Sequence, residues 1–93
     1  MKKYKFKLYI VKDNPSSRIL IEQIKYVFQN ILKDGYYIDI VDILEHPELA
    51  VKDKVIASPT LIKEFPYPQK RLIGQFNDKK KLTSGLNLLV NDN

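Results

Sequence analysis

Apolar and charged residues alternate at the start of the chain in a way that predicts a β-strand. Tyr4, Phe6, Leu8 and Ile10 lie at every second position and are separated by lysines, until Tyr9 makes both faces apolar. A period of two places alternate side chains on opposite faces of a strand. The segment therefore predicts a first strand that is buried more deeply toward its C-terminal end.

The next apolar residues recur with the period of a helix. The preceding segment KDNPSS supplies a turn and capping residues, and we interpret Ser16 and Ser17 as helix caps. Asp34 and Gly35 are expected to end the helix. One apolar face is formed by Leu20, Ile24, Val27, Phe28 and Ile31.

The remaining segments complete the predicted order β-α-β-α-β-β-α. Residues 36–43 read as a second strand, which should lie parallel to the first through a right-handed crossover. A short helix is expected within residues 45–57, with Pro47 in its first turn. Two strands, 60–65 and 70–76, then precede a last helix. That helix should be capped by Asn77 or Asp78 and should bury Leu82, Leu86 and Leu89.

Length and composition favour one globular domain over residues 1–93. The apolar runs are too short to span a membrane. The first lysines alternate with apolar residues instead of preceding an apolar block, so the N-terminus does not read as a signal peptide. We therefore expect a cytoplasmic protein without a membrane partner.

The residue content offers little for catalysis or for binding a metal or cofactor. The chain has no cysteine and one histidine, His46, which stands at a helix start where a capping or solvent-exposed role is expected. Asp39 and Asp42 are three apart on one strand and point to opposite faces, so they cannot act as an acid and base pair. We predict a protein that is not an enzyme and has no cofactor.

The element order, with SPTL opening the third strand, resembles the thioredoxin fold, an α/β architecture. Redox members of that fold carry paired cysteines at the start of the first helix. This chain has DNPSS there, so thiol-based oxidoreductase chemistry is excluded.

A more specific resemblance covers about residues 4–90. The segments KLYI, NPSS, IDIVDILEHPELA, DKVIASPTL, RLIG and GLNLL, taken together, are similar to those of the KaiB family. The resemblance implies a non-enzymatic adaptor that binds a KaiC-like ATPase and changes its phosphorylation or ATPase cycle. Such an adaptor would work in a clock or in a clock-derived stress response.

The resemblance also implies two folds. A resting homo-oligomer, a dimer or tetramer, would exchange with a thioredoxin-like form, and the C-terminal half would change its structure. Because an X–Pro bond prefers trans by only about 0.5–1 kcal/mol, several prolines can keep two states close in energy. The fold-switch residues implied are Pro59, Pro66, Pro68, Gly85 and Asn87. If Gly85 lies inside the last helix, Gly85→Ala should favour the thioredoxin-like form by up to about fivefold.

Partner contacts follow from the same resemblance, at Lys7, Tyr9, Tyr36 and Lys54. Ile19 and Asp39 stand where basic residues are common in the family, which puts part of that surface in doubt. Two alternatives remain: a KaiB-like sensor module of a histidine kinase, and a basic nucleic-acid-binding module. The net charge of +5, six tyrosines and four phenylalanines motivate the latter, but the scattered lysines disfavour it.

Overall fold

The described part of the chain folds into a four-stranded sheet with three helices. The computed structural model describes residues 3–74 and 78–88. The predicted order β-α-β-α-β-β-α is confirmed. The elements are β1 (Tyr4–Ile10), α1 (Pro15–Leu32), β2 (Tyr36–Asp42), α2 (Pro47–Lys52), β3 (Thr60–Phe65), β4 (Lys70–Ile73) and α3 (Lys79–Gly85).

The strands lie in the order β2-β1-β3-β4. β1 is parallel to β2, as predicted, and antiparallel to β3, so Leu8 lies between Ile40 and Leu61. β3 matches the predicted range 60–65, whereas β4 ends at Ile73. Gly74 follows with φ 91°, a backbone conformation that glycine adopts without a steric penalty. The last residues predicted for β4, 75–76, lie outside the described residues.

Alternating side chains of β1 divide the core between the two faces of the sheet. One face packs against α1 and α3, and we call it the α1–α3 face. The opposite face packs against α2, and we call it the α2 face. Buried residues of the α1–α3 face are Tyr4, Phe6, Leu8, Ile10, Ile24, Phe28, Leu61, Leu82, Leu86 and Leu88. Those of the α2 face are Tyr9, Val41, Ala50 and Ile62.

The two ends of α1 differ from the predicted caps. Asn14, not Ser16 or Ser17, is the N-cap: its side-chain oxygen accepts a hydrogen bond from the Ser16 backbone N–H at 3.0 Å, and Ser17 is buried. Pro15 occupies the first helical position, so the residue before it, Asn14, is the N-cap. The helix ends at Leu32, and the residue with positive φ is Lys33, at 57°, instead of Gly35.

The start of α3 agrees with one of the two predicted caps. The Asp78 carboxylate accepts hydrogen bonds from the backbone N–H groups of Lys80, at 2.7 Å, and Lys81, at 3.3 Å. Asn77, the other candidate, lies outside the described residues, as does Leu89 of the predicted apolar face.

The end of α3 is a Schellman motif. The Leu88 N–H bonds to the Thr83 carbonyl at 2.9 Å, and the Asn87 N–H bonds to the Ser84 carbonyl at 3.3 Å. Asn87 occupies the left-handed position of the motif with φ 55°. Asparagine tolerates this conformation better than most residues do.

Gly85 is the last residue of α3, not an interior residue. A Cβ added there would lie 2.5 Å from Leu72 Cδ2, so a larger residue must displace the Leu72 side chain. The premise of the Gly85→Ala expectation is therefore wrong. Gly85 instead permits close packing of α3 against β4.

Candidate partner-binding surface

A polar cluster of Lys7, Tyr9, Asp53 and Glu64 joins α2 to the sheet. The Tyr9 hydroxyl donates to the Asp53 carboxylate and lies 3.0 Å from the Leu49 carbonyl oxygen. Lys7 Nζ lies 3.3 Å from both Asp53 Oδ2 and Glu64 Oε2. The cluster therefore links β1, β3 and the C-terminal end of α2 through directional contacts.

The protonation states of this cluster support one another. Burial, together with the hydrogen bond to Asp53, raises the pKa of Tyr9 far above its usual range. Burial alone would raise the pKa of Asp53, but the hydrogen bonds from Tyr9 and Lys7 outweigh it and lower that pKa. Burial likewise opposes the rise in the pKa of Lys7 that the Asp53 and Glu64 carboxylates produce. At neutral pH Tyr9 is therefore neutral and Asp53 and Lys7 are charged.

The C-terminal end of α2 repeats the backbone motif of α3, with a different residue at the left-handed position. The Val55 N–H bonds to the Ala50 carbonyl at 2.8 Å, and the Lys54 N–H bonds to the Val51 carbonyl at 3.0 Å. Lys54 has φ 57°. Glycine, and sometimes asparagine, fills this position in most helices, so an exposed lysine is unusual there.

Arg71 on β4 holds the backbone of this helix end. Its Nη2 lies 2.9 Å from the Asp53 carbonyl oxygen and its Nη1 lies 3.4 Å from that of Lys54. Within residues 3–74 and 78–88, the Lys54 ammonium itself forms no hydrogen bond or ion pair. The backbone of Lys54 is thus anchored while its side chain stays available to a partner.

Three large apolar side chains on and beside α2 are strongly exposed. Leu44, Val51 and Ile56 expose 70%, 77% and 89% of their surface. With Lys52 and Lys54 they form what we call the α2 surface. Sequence reasoning missed this surface, although a signal was present: Val51 and Ile56 are β-branched residues in a segment predicted to be helical. Exposed apolar groups rimmed by polar residues are typical of interaction sites.

The four predicted partner contacts do not lie together. Lys7 and Tyr9 meet the α2 surface through Asp53, which precedes Lys54. Tyr9 has no exposed surface, so in this structure it positions α2 from within, and its direct contact with a partner stays a prediction. Tyr36 lies on the α1–α3 face, half-buried, at the start of β2.

The predicted fold-switch residues all follow α2. Pro59 precedes β3, and Pro66 and Pro68 lie in the turn between β3 and β4. The peptide bonds before these three prolines are cis. Gly85 is the last residue of α3, and Asn87 follows it after Leu86.

Other residues considered at the sequence level are exposed. His46 occupies the N-cap position of α2 without a side-chain capping bond, and its ring nitrogens lie 3.9 Å from a Glu45 oxygen and 3.8 Å from a Glu48 oxygen. Ile19 on α1 and Asp39 on β2 are exposed. The described ranges contain no group of three His, Cys, Asp or Glu residues that could hold a metal ion. Nor do they contain a helix long and apolar enough to span a membrane.

Comparison with known sequences gives a consistent result. The KaiB domain family model matches residues 7–88. A circadian clock oscillator protein KaiB from Prochlorococcus marinus subsp. pastoris is 37% identical over 91 residues, which cover 98% of this chain and 85% of that protein. The protein of the same name from a Picosynechococcus species is 35% identical, with 98% and 88% covered.

Comparison with solved structures shows the fold. The N-terminal domain of Synechococcus elongatus SasA superposes with a TM-score of 0.74 at 17% identity, covering 90% of this chain and 79% of that one. Mitochondrial thioredoxin 3 from Saccharomyces cerevisiae gives 0.70 at 15% identity, with 94% and 79% covered. The fold is therefore thioredoxin-like, as the element order predicted.

Proposed function

The chain belongs to the KaiB family, and from this premise we propose that it is a non-enzymatic adaptor that binds a KaiC-like ATPase. Binding would modulate the phosphorylation or ATPase cycle of that partner, in a clock or a clock-derived stress response. Proteins of this family are clock regulators rather than enzymes. The family match supports the class of function, and the α2 surface supports the place of contact.

The observation that carries the proposal is the backbone conformation of Lys54. A left-handed conformation costs a residue with a Cβ about 1–2 kcal/mol, and glycine would avoid most of that penalty. Lys54 nonetheless occupies the position with φ 57° and has an exposed side chain. Strained residues that the surrounding structure holds in place are common at functional sites. We infer that this lysine serves binding at the expense of stability.

Two of the other predicted residues, Lys7 and Tyr9, take supporting roles in this proposal, together with Arg71. Lys7 and Tyr9 hold Asp53, and Arg71 holds the carbonyl groups of Asp53 and Lys54. They fix the direction in which α2 presents Lys54 and the exposed apolar residues. A partner surface with carboxylates around an apolar patch would complement this arrangement. Tyr36 stays a separate predicted contact on the other face.

Substitution of Lys54 by glycine separates folding from binding. Lys54→Gly should raise the free energy of unfolding by about 1 kcal/mol, because the backbone penalty disappears. The same variant should bind the organism's own KaiC-like ATPase more weakly, measured by sizing chromatography with ATP over hours. Lys33→Gly is the matched control, since Lys33 is also an exposed lysine with φ 57° at a helix end. A stabilised Lys54→Gly variant that binds like the wild type would refute the assignment.

We also propose that the thioredoxin-like form is the partner-binding form and exchanges with a resting homo-oligomer, a dimer or tetramer. Pro59, Pro66, Pro68, Gly85 and Asn87 would mark the segment that changes. Complex formation should then be slow and limited by a step that is independent of partner concentration. The rate of association, measured after stopped-flow mixing at several concentrations of the ATPase, distinguishes a reaction limited by exchange from one limited by encounter. Association whose rate rises in proportion to partner concentration would contradict the exchange.

A further inference from the structure

Lys63 on β3 is a charged residue inside the sheet. It exposes 1% of its surface, and in the described part of the chain no other charged residue is buried. In the strand register it lies directly opposite Phe6 of β1, which belongs to the α1–α3 face. Directly opposite residues share a face of the sheet, so Lys63 lies on the α1–α3 face among apolar side chains. Lysines normally keep the ammonium in water, and this burial leaves it little contact with solvent.

No carboxylate compensates the charge of Lys63 within the part of the chain that the structure describes. Glu64 follows it in the sequence, but the Glu64 carboxylate lies 3.3 Å from Lys7 Nζ, in the polar cluster beneath α2. The residue directly opposite Lys63 on β4 is Lys70, a second cation. Like charges directly opposite each other destabilise a sheet. The charged form of Lys63 therefore bears a desolvation cost and a repulsion without a compensating ion pair.

The surroundings of Lys63 favour its neutral form. Burial, with the charge of Lys70 adding to it, lowers the pKa of Lys63. Besides Lys70, the titratable side chains that pack on this face in the described residues are Tyr4 on β1 and Tyr36 on β2, and the core residues of α1 and α3 are apolar. A lowered pKa in the folded state means that the folded chain holds the proton of Lys63 less tightly than the unfolded chain does.

We propose that Lys63 is a pH-sensitive element of the β3–β4 hairpin: its ammonium weakens this fold, and loss of its proton stabilises the fold. The free energy of unfolding should gain from Lys63 as pH rises from its lowered pKa toward the unfolded value of about 10.4. A rise in pH would therefore favour this form over any form in which Lys63 is solvated. The inference goes beyond the proposed function, because it concerns the stability of this form and its test needs no partner.

The test is urea unfolding of the full chain from pH 7 to pH 10, with Lys63→Met compared with the wild type at each pH. At pH 7 the variant should have a folded-to-unfolded ratio at least about fivefold higher, because an apolar side chain replaces a buried charge. This advantage should shrink as pH rises through the lowered pKa of Lys63, since the wild type then loses the buried charge as well. Lys25→Met is the matched control, since Lys25 on α1 is exposed. It should leave the ratio nearly unchanged at every pH.

A second variant tests the charge without changing Lys63 itself. Lys70→Glu places a carboxylate opposite the buried ammonium, so it should stabilise the fold at pH 7 and hold the proton of Lys63 to higher pH. Lys25→Glu makes the same change of net charge away from the hairpin. A Lys63→Met advantage that is equal at pH 7 and pH 10, or a Lys63→Met variant less stable than the wild type, overturns the proposal. If Lys63→Met does not fold, equal effects of Lys70→Glu and Lys25→Glu overturn it.

Discussion

The two faces of the sheet are held by different forces. On the α1–α3 face, Phe28 stacks on Phe6 with ring centroids 4.3 Å apart and meets the edge of Tyr36 at 5.4 Å. On the α2 face the apolar cluster is smaller, and a hydroxyl, a carboxylate and an ammonium also hold a helix of only 6 residues. Apolar packing is non-directional, whereas hydrogen bonds fix angles. The α1–α3 face thus supplies most of the stability, and the α2 face supplies orientation.

Removal of the Phe28 ring should have the largest effect on stability, since it takes apolar contacts away from the α1–α3 face. Phe28 has no exposed surface, and Phe28→Ala should lower the free energy of unfolding by about 3–5 kcal/mol. Burial raises the pKa of Tyr36, the titratable neighbour of Phe28, so Tyr36 stays neutral and the loss should be the same at pH 7 and pH 4. Urea unfolding at both pH values measures it. A strongly pH-dependent loss would show that the two faces are coupled.

Tyr9→Phe tests the polar side and should have a smaller effect that depends on pH. The Asp53 carboxylate loses a donor, so the free energy of unfolding should fall by about 1–3 kcal/mol at pH 7. Because the folded pKa of Asp53 is lowered, its contribution is present at neutral pH and is lost as pH falls through that pKa. The difference between variant and wild type should therefore shrink below about pH 4.

Urea unfolding across a pH series measures this second effect. Tyr26→Phe is the control, because Tyr26 is exposed and its hydroxyl lies outside the polar cluster. A Tyr9→Phe loss that is equal at pH 7 and pH 3 would mean that the hydroxyl acts through packing, and the contrast between the faces would weaken.

Asn87→Ala should have the smallest effect on stability of the three substitutions. It tests the backbone motif that ends both α3, on the α1–α3 face, and α2. The variant keeps φ 55° but loses the tolerance of asparagine for that conformation, so stability should fall by about 1 kcal/mol. Asn87→Gly should restore or exceed the wild-type stability. Thermal unfolding of the wild type and the two variants measures both changes in stability. If Asn87→Ala is neutral, the backbone argument fails at α3, and it then loses its force for Lys54 in the same motif of α2.

Local patterns were sufficient to predict most of the fold. The alternation from Tyr4 to Ile10 and the helical period of α1 follow from neighbouring residues, and the parallel pairing of β1 with β2 follows from their connection. The errors fall at helix ends. Ser16 and Ser17 have good capping side chains, but Pro15 shifts the cap to Asn14. Lysine is not a residue type that indicates a left-handed backbone, so the positive φ of Lys33 and Lys54 could not be predicted from the sequence.

The candidate surface was less accessible to sequence reasoning, because its contacts join residues far apart in the chain. Tyr9 and Asp53 are 44 positions apart, and no local spacing indicates that pair. The resemblance to the KaiB family gave the candidates Lys7, Tyr9 and Lys54 but not their division of roles. That division depends on burial: Tyr9 is enclosed and Lys54 is not.

β1 is the seam of the molecule, since it pairs with β2 on one side and with β3 on the other. If the β1–β3 ladder opens, the β1–α1–β2 unit and the β3–β4 hairpin each retain all of their own strand-to-strand hydrogen bonds. The two parts can therefore separate between β1 and β3 while each keeps its own strand pairing. Amide hydrogens on the two sides of the seam would then be protected from exchange with solvent by two distinct openings instead of by one global transition.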